Sequence, residues 1–407
     1  MKKFLTSKTF IIIYSIVLIA SATYIVVAQE ETIDINCWSK KSADSFIKLH
    51  PDTVAYPTEA KSYRWNYEQG LILEAFYRWY KHTGDQKYFN YIKKNIDYYV
   101  EDDGNIKTYN MNDFNIDNVS PGRVLIHLYN ETGNEKYKKA ADTLKHQMLL
   151  HPRTNEGGYW HKKIYPYQMW LDGLFMAEPF LAYYALVFNH PEKFDDIIKQ
   201  YALVKKYLRD EKTGLYYHGY DESKKQEWAD KETGQSPNFW GRAIGWFMMS
   251  IVDVLDYLPV DHKDRKELIS ILNELSESLL IYRDDKTKLW YQVVDQGSRD
   301  GNYIEASSSM MFIYAFAKGA NKSYLNKKFF TIADESFKSA IDNLVTIDKD
   351  GLIYLNHVCS VGGLGGKPYR DGSFDYYISE PQRVNDFKGY GPFMFAAMEL
   401  ESKSCTH

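Results

Sequence analysis

The sequence predicts an all-α fold, a closed (α/α)6 toroid of six helical hairpins. Three observations predict it. Two kinds of loop alternate along the 407 residues, and the helical stretches between them are alternately apolar all round and one-sided. The pair recurs at periods of roughly 50–70 residues, as a repeated inner and outer helix would. A helix apolar on every face is buried, and a one-sided helix covers it. Six inner helices can close into a ring; an open solenoid of the same hairpins is the structural alternative.

Taken in order, the chain begins with Lys2, Lys3 and Lys8 and an uncharged run from Thr9 to Ala28, ending Val26-Val27-Ala28. Residues 1–28 read as a secretion signal, with an uncleaved anchor as the alternative. This leaves residues 29–407 as a single domain, exported to the periplasm or the medium. The opening helix, Tyr67 to Tyr80, is followed by Thr83-Gly84-Asp85-Gln86-Lys87-Tyr88. Thr132-Gly133-Asn134-Glu135-Lys136-Tyr137 repeats that loop, and looser versions follow at His190 to Phe194 and Gly319 to Tyr324. Each leads into a polar, one-sided helix: Tyr88 to Tyr99, Tyr137 to Leu149, Phe194 to Leu208, Phe329 to Leu344. The second kind of loop is Asp/Gly-rich and then aromatic, as at Asp103 to Ile106, Glu156 to Trp160, Lys212 to Tyr217, Lys286 to Tyr291 and Asp350 to Tyr354. Apolar helices follow it, notably Leu174 to Phe188 and Phe239 to Leu255.

Composition narrows the partners. With 50 basic and 54 acidic residues the net charge is -4, which does not suit nucleic acid. The 35 Tyr, 21 Phe and 9 Trp supply flat, partly polar rings that suit sugar faces, although a large helical core uses them too. No His-Glu-x-x-His or Cys-x-x-Cys spacing appears, so neither metal nor cofactor is expected. Cys37, Cys359 and Cys405 allow one disulfide without choosing a pair.

In a toroid the second loops share one end, where the inner helices begin. Asp117 precedes Ser120-Pro121, which reads as a helix cap with proline at the first position. Asp172 precedes Gly173-Leu174 and follows Trp170. His161 and His218 follow aromatic turns, and Trp240, Arg242 and Trp246 follow Ser236-Pro237, a second cap signature. Helix N-termini around one mouth favour an anionic ligand. Burial beside Trp170 favours the protonated form of Asp172, and a neighbouring Asp117 would push it further that way.

Trp160-His161, Pro166-Tyr167-Gln168-Met169-Trp170-Leu171-Asp172-Gly173, Tyr217-His218-Gly219 and Trp240-Gly241-Arg242-Ala243-Ile244-Gly245-Trp246 resemble the unsaturated rhamnogalacturonyl hydrolases, glycoside hydrolase family 105. The resemblance spans roughly residues 60 to 400. It implies an (α/α)6 barrel that removes a 4,5-unsaturated uronic acid from the non-reducing end of lyase-made oligosaccharides, without a cofactor. By the same resemblance Asp172 is the general acid/base and Asp117 its carboxylate partner. His161, Trp170, His218, Trp240, Arg242 and Trp246 line the pocket, with Trp65 or Tyr67 added from the first repeat. Two rivals stand beside it: a conventional inverting glycosidase with a carboxylate pair, and a non-catalytic glycan-binding protein. Lys367 and Arg370, in the glycine-rich segment Gly362 to Gly372, are candidates for contacting a sulfated rhamnose.

Overall fold

The structure, a computed structural model, describes residues 37–401 and 405; the expected signal segment lies outside them. Helix α1 (Trp38–Leu49) comes first. Inner and outer helices then alternate: α2 (Tyr67–Thr83) and α3 (Gln86–Tyr99), α4 (Gly122–Thr132) and α5 (Glu135–Leu150), α6 (Leu171–Val187) and α7 (Phe194–Leu208). They continue with α8 (Gly241–Tyr257) and α9 (Arg265–Ile281), then α10 (Ala306–Asn321) and α11 (Lys328–Leu344). After the short α12 (Phe374–Ser379), α13 (Phe387–Leu400) is the sixth inner helix, and α1 packs behind it.

Each inner helix packs on the next, α2 on α4, α4 on α6, α6 on α8, α8 on α10 and α10 on α13, and α13 returns to α2. The ring is closed, and the open solenoid is excluded. The seam joins the two ends of the chain. Glu401 accepts from the backbone N–H groups of Trp38 and Ser39, and Tyr390 donates to the Ser42 carbonyl at 2.9 Å. A disulfide links Cys37 to Cys405, 368 residues apart in sequence.

Local chemistry explains the first kind of loop. Gly84, at φ 72°, ends α2 in the left-handed region, and the Asp85 side chain accepts from the Lys87 N–H to start α3. Gly133 and Asn134 do the same between α4 and α5. In the second kind the chain turns back on itself through short bridges, Val100 with Ile106, Arg153 with Tyr159 and Arg209 with Tyr216.

Two expected caps are corrected. The Ser120 hydroxyl is buried with no hydrogen-bond partner, because a 3-10 turn over Ile116–Val119 already leads the chain into α4. Ser236 lies five residues before the start of α8, and its hydroxyl accepts from the Gly219 N–H instead. Helix α6 also starts earlier than expected, at Leu171, which brings Asp172 into its first turn.

Deeper in the ring, side chains of four inner helices fill the space between them with a buried charge cluster. Asp253 of α8 accepts from Arg78 at 2.8 Å, Arg123 at 2.7 Å and Lys318 at 2.7 Å, and from the Tyr314 hydroxyl. Glu74 completes the cluster through Arg78 and His127. The toroid is thus a cup, open at the end where the inner helices begin.

Candidate active site

Two three-residue strands set the centre of the cup. Strand β1 (Gln168–Trp170) pairs antiparallel with β2 (Gly219–Asp221), Trp170 facing Gly219, and the Leu171 N–H donates to the His218 carbonyl. His218 therefore stands over the first turn of α6. Its Nε2 lies 3.1 Å from Asp172 Oδ2, a close contact that is not aligned as a good hydrogen bond. Its Nδ1 meets the Tyr377 hydroxyl at 2.8 Å. When that hydroxyl donates, the ring proton sits on Nε2 and faces Asp172.

A second small hairpin brings Asp117. The His161 N–H donates to the Gln168 carbonyl, the Ile116 N–H donates to the His161 carbonyl, and Asn115 bridges to Lys162. Asp117 pairs with Lys162 through one oxygen, and its other oxygen lies 3.5 Å from His161 Nε2. Burial holds His161 down at about 4, against the pull of Asp117 and Asp172, so its imidazole is neutral near pH 7.

The protonated Asp172 expected from sequence is corrected here. Burial does push its carboxyl up, but the His218 and His161 rings beside it and its own backbone N–H outweigh burial and hold it below the usual carboxylate range. Its place in the first turn of α6 acts the same way. Asp117 does not supply the expected repulsion, because its charge faces Lys162 and His161. At neutral pH Asp172 is a carboxylate.

Aromatic rings wall the cup. Trp170 stacks on His161 at 4.5 Å and on Tyr165 at 5.0 Å, and its Nε1–H donates to Gln168. Trp240, the residue before α8, stacks on Tyr377 at 5.7 Å and donates to Gln292 Oε1 at 3.2 Å. Gly362 lies against the Trp240 ring so closely that a Cβ there would stand 2.4 Å from it, so this position has room only for glycine. Arg242 lies 4.8 Å over Trp240 and is 1 % exposed. One of its terminal nitrogens donates to Ser307 and to the Cys359 carbonyl, while Nε and Nη2 have no partner. Burial opposes its charge, but Glu305 and its other neighbours keep the guanidinium charged. Buried donors left open on a cation call for an acceptor from outside.

Trp246 lies deeper, wholly buried, and touches Phe175 at 4.7 Å and Tyr67 edge-on at 6.1 Å; it reaches the cup through Tyr67. Of the two first-repeat candidates, Trp65 is buried with its indole N–H on the Asn118 carbonyl, while Tyr67 feels the charges of Asp117 and Arg242. The glycine-rich segment forms one wall: Leu364 is buried against Trp170 and Trp228, and Arg370 donates to Tyr165 and Gly365. Arg370 ties that loop together, and Lys367 is exposed. Sequence reasoning missed Lys162, although it adjoins His161, and Tyr377, which lies 159 residues from His218 with no motif to mark it.

A family model described as Glycosyl Hydrolase Family 88 matches residues 38–403. A C. acetobutylicum glycoside hydrolase from family 105, of known structure, is 47 % identical over 90 % of this chain and 99 % of its own, with a TM-score of 0.86. The chain belongs to glycoside hydrolase family 105. Among curated family relatives, Protein Atu3128 of Agrobacterium fabrum is 36 % identical over 55 % of this chain and 97 % of its own length. The unsaturated rhamnogalacturonyl hydrolase YesR of Bacillus subtilis is 25 % identical over 70 % of this chain and 79 % of its own. The family 105 chain described here is therefore a glycoside hydrolase, and its fold is the (α/α)6 toroid.

Proposed function

We propose that this enzyme removes a 4,5-unsaturated uronic acid from the non-reducing end of lyase-generated uronyl-rhamnose oligosaccharides by hydrating the double bond. The carrying observation is the buried Arg242 with two open N–H donors, in the same cup as a single Asp172–His218 pair. A uronate carboxylate supplies the missing acceptor in a charge-assisted pair. A relative named for unsaturated rhamnogalacturonyl hydrolysis matches 70 % of this chain at 25 % identity and one named for unsaturated 3S-rhamnoglycuronyl hydrolysis matches 42 % at 28 %, so both pectin-derived and sulfated, ulvan-derived substrates belong in the test.

An unsaturated uronide is an enol ether, and one acid/base serves it. Asp172, once protonated, gives its proton to C4, which leaves an oxocarbenium-like centre at C5. Water adds to C5 and gives its proton back to the Asp172 carboxylate. The resulting hemiketal opens and releases the rest of the oligosaccharide. His218, oriented by Tyr377, faces the carboxylate through this cycle, and Lys162 and His161 hold Asp117 in place.

The test is loss of the enol-ether ultraviolet absorbance with a panel of disaccharides: unsaturated pectin-derived, unsaturated ulvan-derived, and saturated. Loss with the pectin-derived member supports the reading, and preference for the sulfated member shifts it to ulvan. Cleavage of the saturated member at a similar rate would make the enzyme a conventional glycosidase. In the same assay Arg242→Ala is expected to raise KM by about 10–100-fold, the worth of a hydrogen bond to a charged group; an unchanged KM removes Arg242 from carboxylate binding. The Cys37–Cys405 bridge supports an exported location, since disulfides persist outside the reducing cytoplasm. Retention of the native protein in the cytoplasm, with both thiols free to alkylate, would overturn that.

A further inference from the structure

A narrow crevice is lined by His161, Trp170, Gly173, Glu178 and Gln200. It has room for about one water molecule. Two of its lining residues each leave a buried polar atom without a partner: Nδ1 of His161, which is 3 % exposed, and Oε2 of Glu178, which is 1 % exposed. Orphaned buried atoms of this kind are uncommon and are ordinarily satisfied through enclosed water.

The polarity of the two groups fits. Nε2 of His161 faces the Asp117 carboxylate at 3.5 Å, so the single proton of the neutral ring belongs there. Nδ1 is then a lone-pair acceptor in need of a donor. Around Glu178 stand Tyr159, Tyr201, Gln200, Asp196 and Arg153, and the one cation among them, Arg153, is held at 2.7 Å by Asp196. Burial first, and then the charge of Asp196, keep Glu178 protonated, so its carboxyl carries an O–H.

We propose that Glu178 is a positioning residue for His161: its carboxyl O–H donates to water held in the crevice, and that water donates to Nδ1. The chain of donors keeps the ring proton on Nε2, facing Asp117 and the cup. A charge on Glu178 would instead draw a second proton onto Nδ1. The resulting imidazolium would sit beside Asp172, whose proton affinity His161 already lowers. Glu178 thus keeps Asp172 able to take up its proton. This role in turnover rests on the hydration reading above, whereas the tautomer of His161 does not.

Two variants test it, Glu178→Gln and Glu178→Met, each checked for folding by circular dichroism. Long-range nitrogen–proton NMR spectra of the substrate-free protein report the His161 tautomer, and kcat and KM are measured beside them. Glu178→Gln, which keeps a neutral donor, is expected to retain the Nε2–H signature and most of kcat. Glu178→Met is expected to give mixed tautomers and a kcat about 10–100-fold lower with KM little changed, as for loss of a residue that orients a site histidine. The proposal is overturned if Glu178→Met keeps the Nε2–H signature and wild-type kcat, or if Glu178→Gln loses the signature. Should Glu178→Met fail to fold, the Glu178→Gln spectrum decides alone. A changed tautomer in a protein inert toward every unsaturated substrate would sink the hydration reading and leave this one standing.

Discussion

Asp172→Asn is expected to lower turnover by about 10²–10⁴-fold, the range for loss of a positioned acid/base. The larger lesson is the pH dependence of the wild type. With its carboxyl held below the usual range by His218 and His161, Asp172 is ionised in the free enzyme at neutral pH. Protonation of C4 needs the minority protonated form, whose share falls about tenfold for each pH unit above the pKa. Because kcat/KM reports the free enzyme, it is expected to fall steadily as pH rises through neutrality. A substrate carboxylate entering the cup adds negative charge and removes water, and both raise the proton affinity of Asp172. Binding should therefore take up a proton, which calorimetry in buffers of different ionisation enthalpy measures directly. A kcat/KM flat from acid to neutral pH, with no proton uptake, would place the catalytic proton elsewhere.

The second large effect is on stability. Asp253→Asn keeps the shape of the side chain but leaves Arg78, Arg123 and Lys318 facing an uncharged amide at 0 % side-chain exposure. Breaking a buried charge cluster from one side is expected to cost about 3–5 kcal/mol. The sign with pH follows from linkage. Burial opposes the Asp253 charge, but Arg78, Lys318 and Arg123 more than reverse that and hold the carboxyl well below its ordinary 3.8. Its contribution is therefore complete above the unfolded value and is lost as pH falls toward the depressed folded one. Urea midpoints of the two proteins should differ widely at neutral pH and converge in strong acid. A neutral-pH difference under about 1 kcal/mol, the scale of an exposed ion pair, would show that the cluster is not the buttress described.

Much of the fold was legible because its signals are local. In Thr83-Gly84-Asp85 a glycine ends one helix and a side-chain oxygen starts the next, and no distant residue is needed for either. Ser120-Pro121 and Ser236-Pro237 carry similar letters and failed, because what their hydroxyls meet is decided by neighbouring segments. The same division holds in the site. Trp170, Asp172, Trp240 and Arg242 come together around His218 at one end of the ring, as the loop spacing implied. The charge on Asp172 did not follow, since it depends on His218, carried in by a strand pairing only three residues long. Tyr377 comes from a six-residue helix that no periodicity marks. Position could be read from pattern, but protonation required knowing the neighbours.

The seam between α1 and α13 has a consequence for synthesis. A polypeptide leaves the ribosome from its first residue, so α1 is made at the start, yet its packing partner α13 is made at the end. The five hairpins between them can stack in the order they emerge, each on the one before. Until α13 arrives they form an arc, with the apolar flanks of α2 and α10 uncovered and the wall of the cup unfinished. The nascent protein therefore carries exposed greasy surface for much of its translation, and a chaperone-held state fits that interval. Catalysis waits on the last helix, although Asp172 and the His218 that faces it have been made well before it.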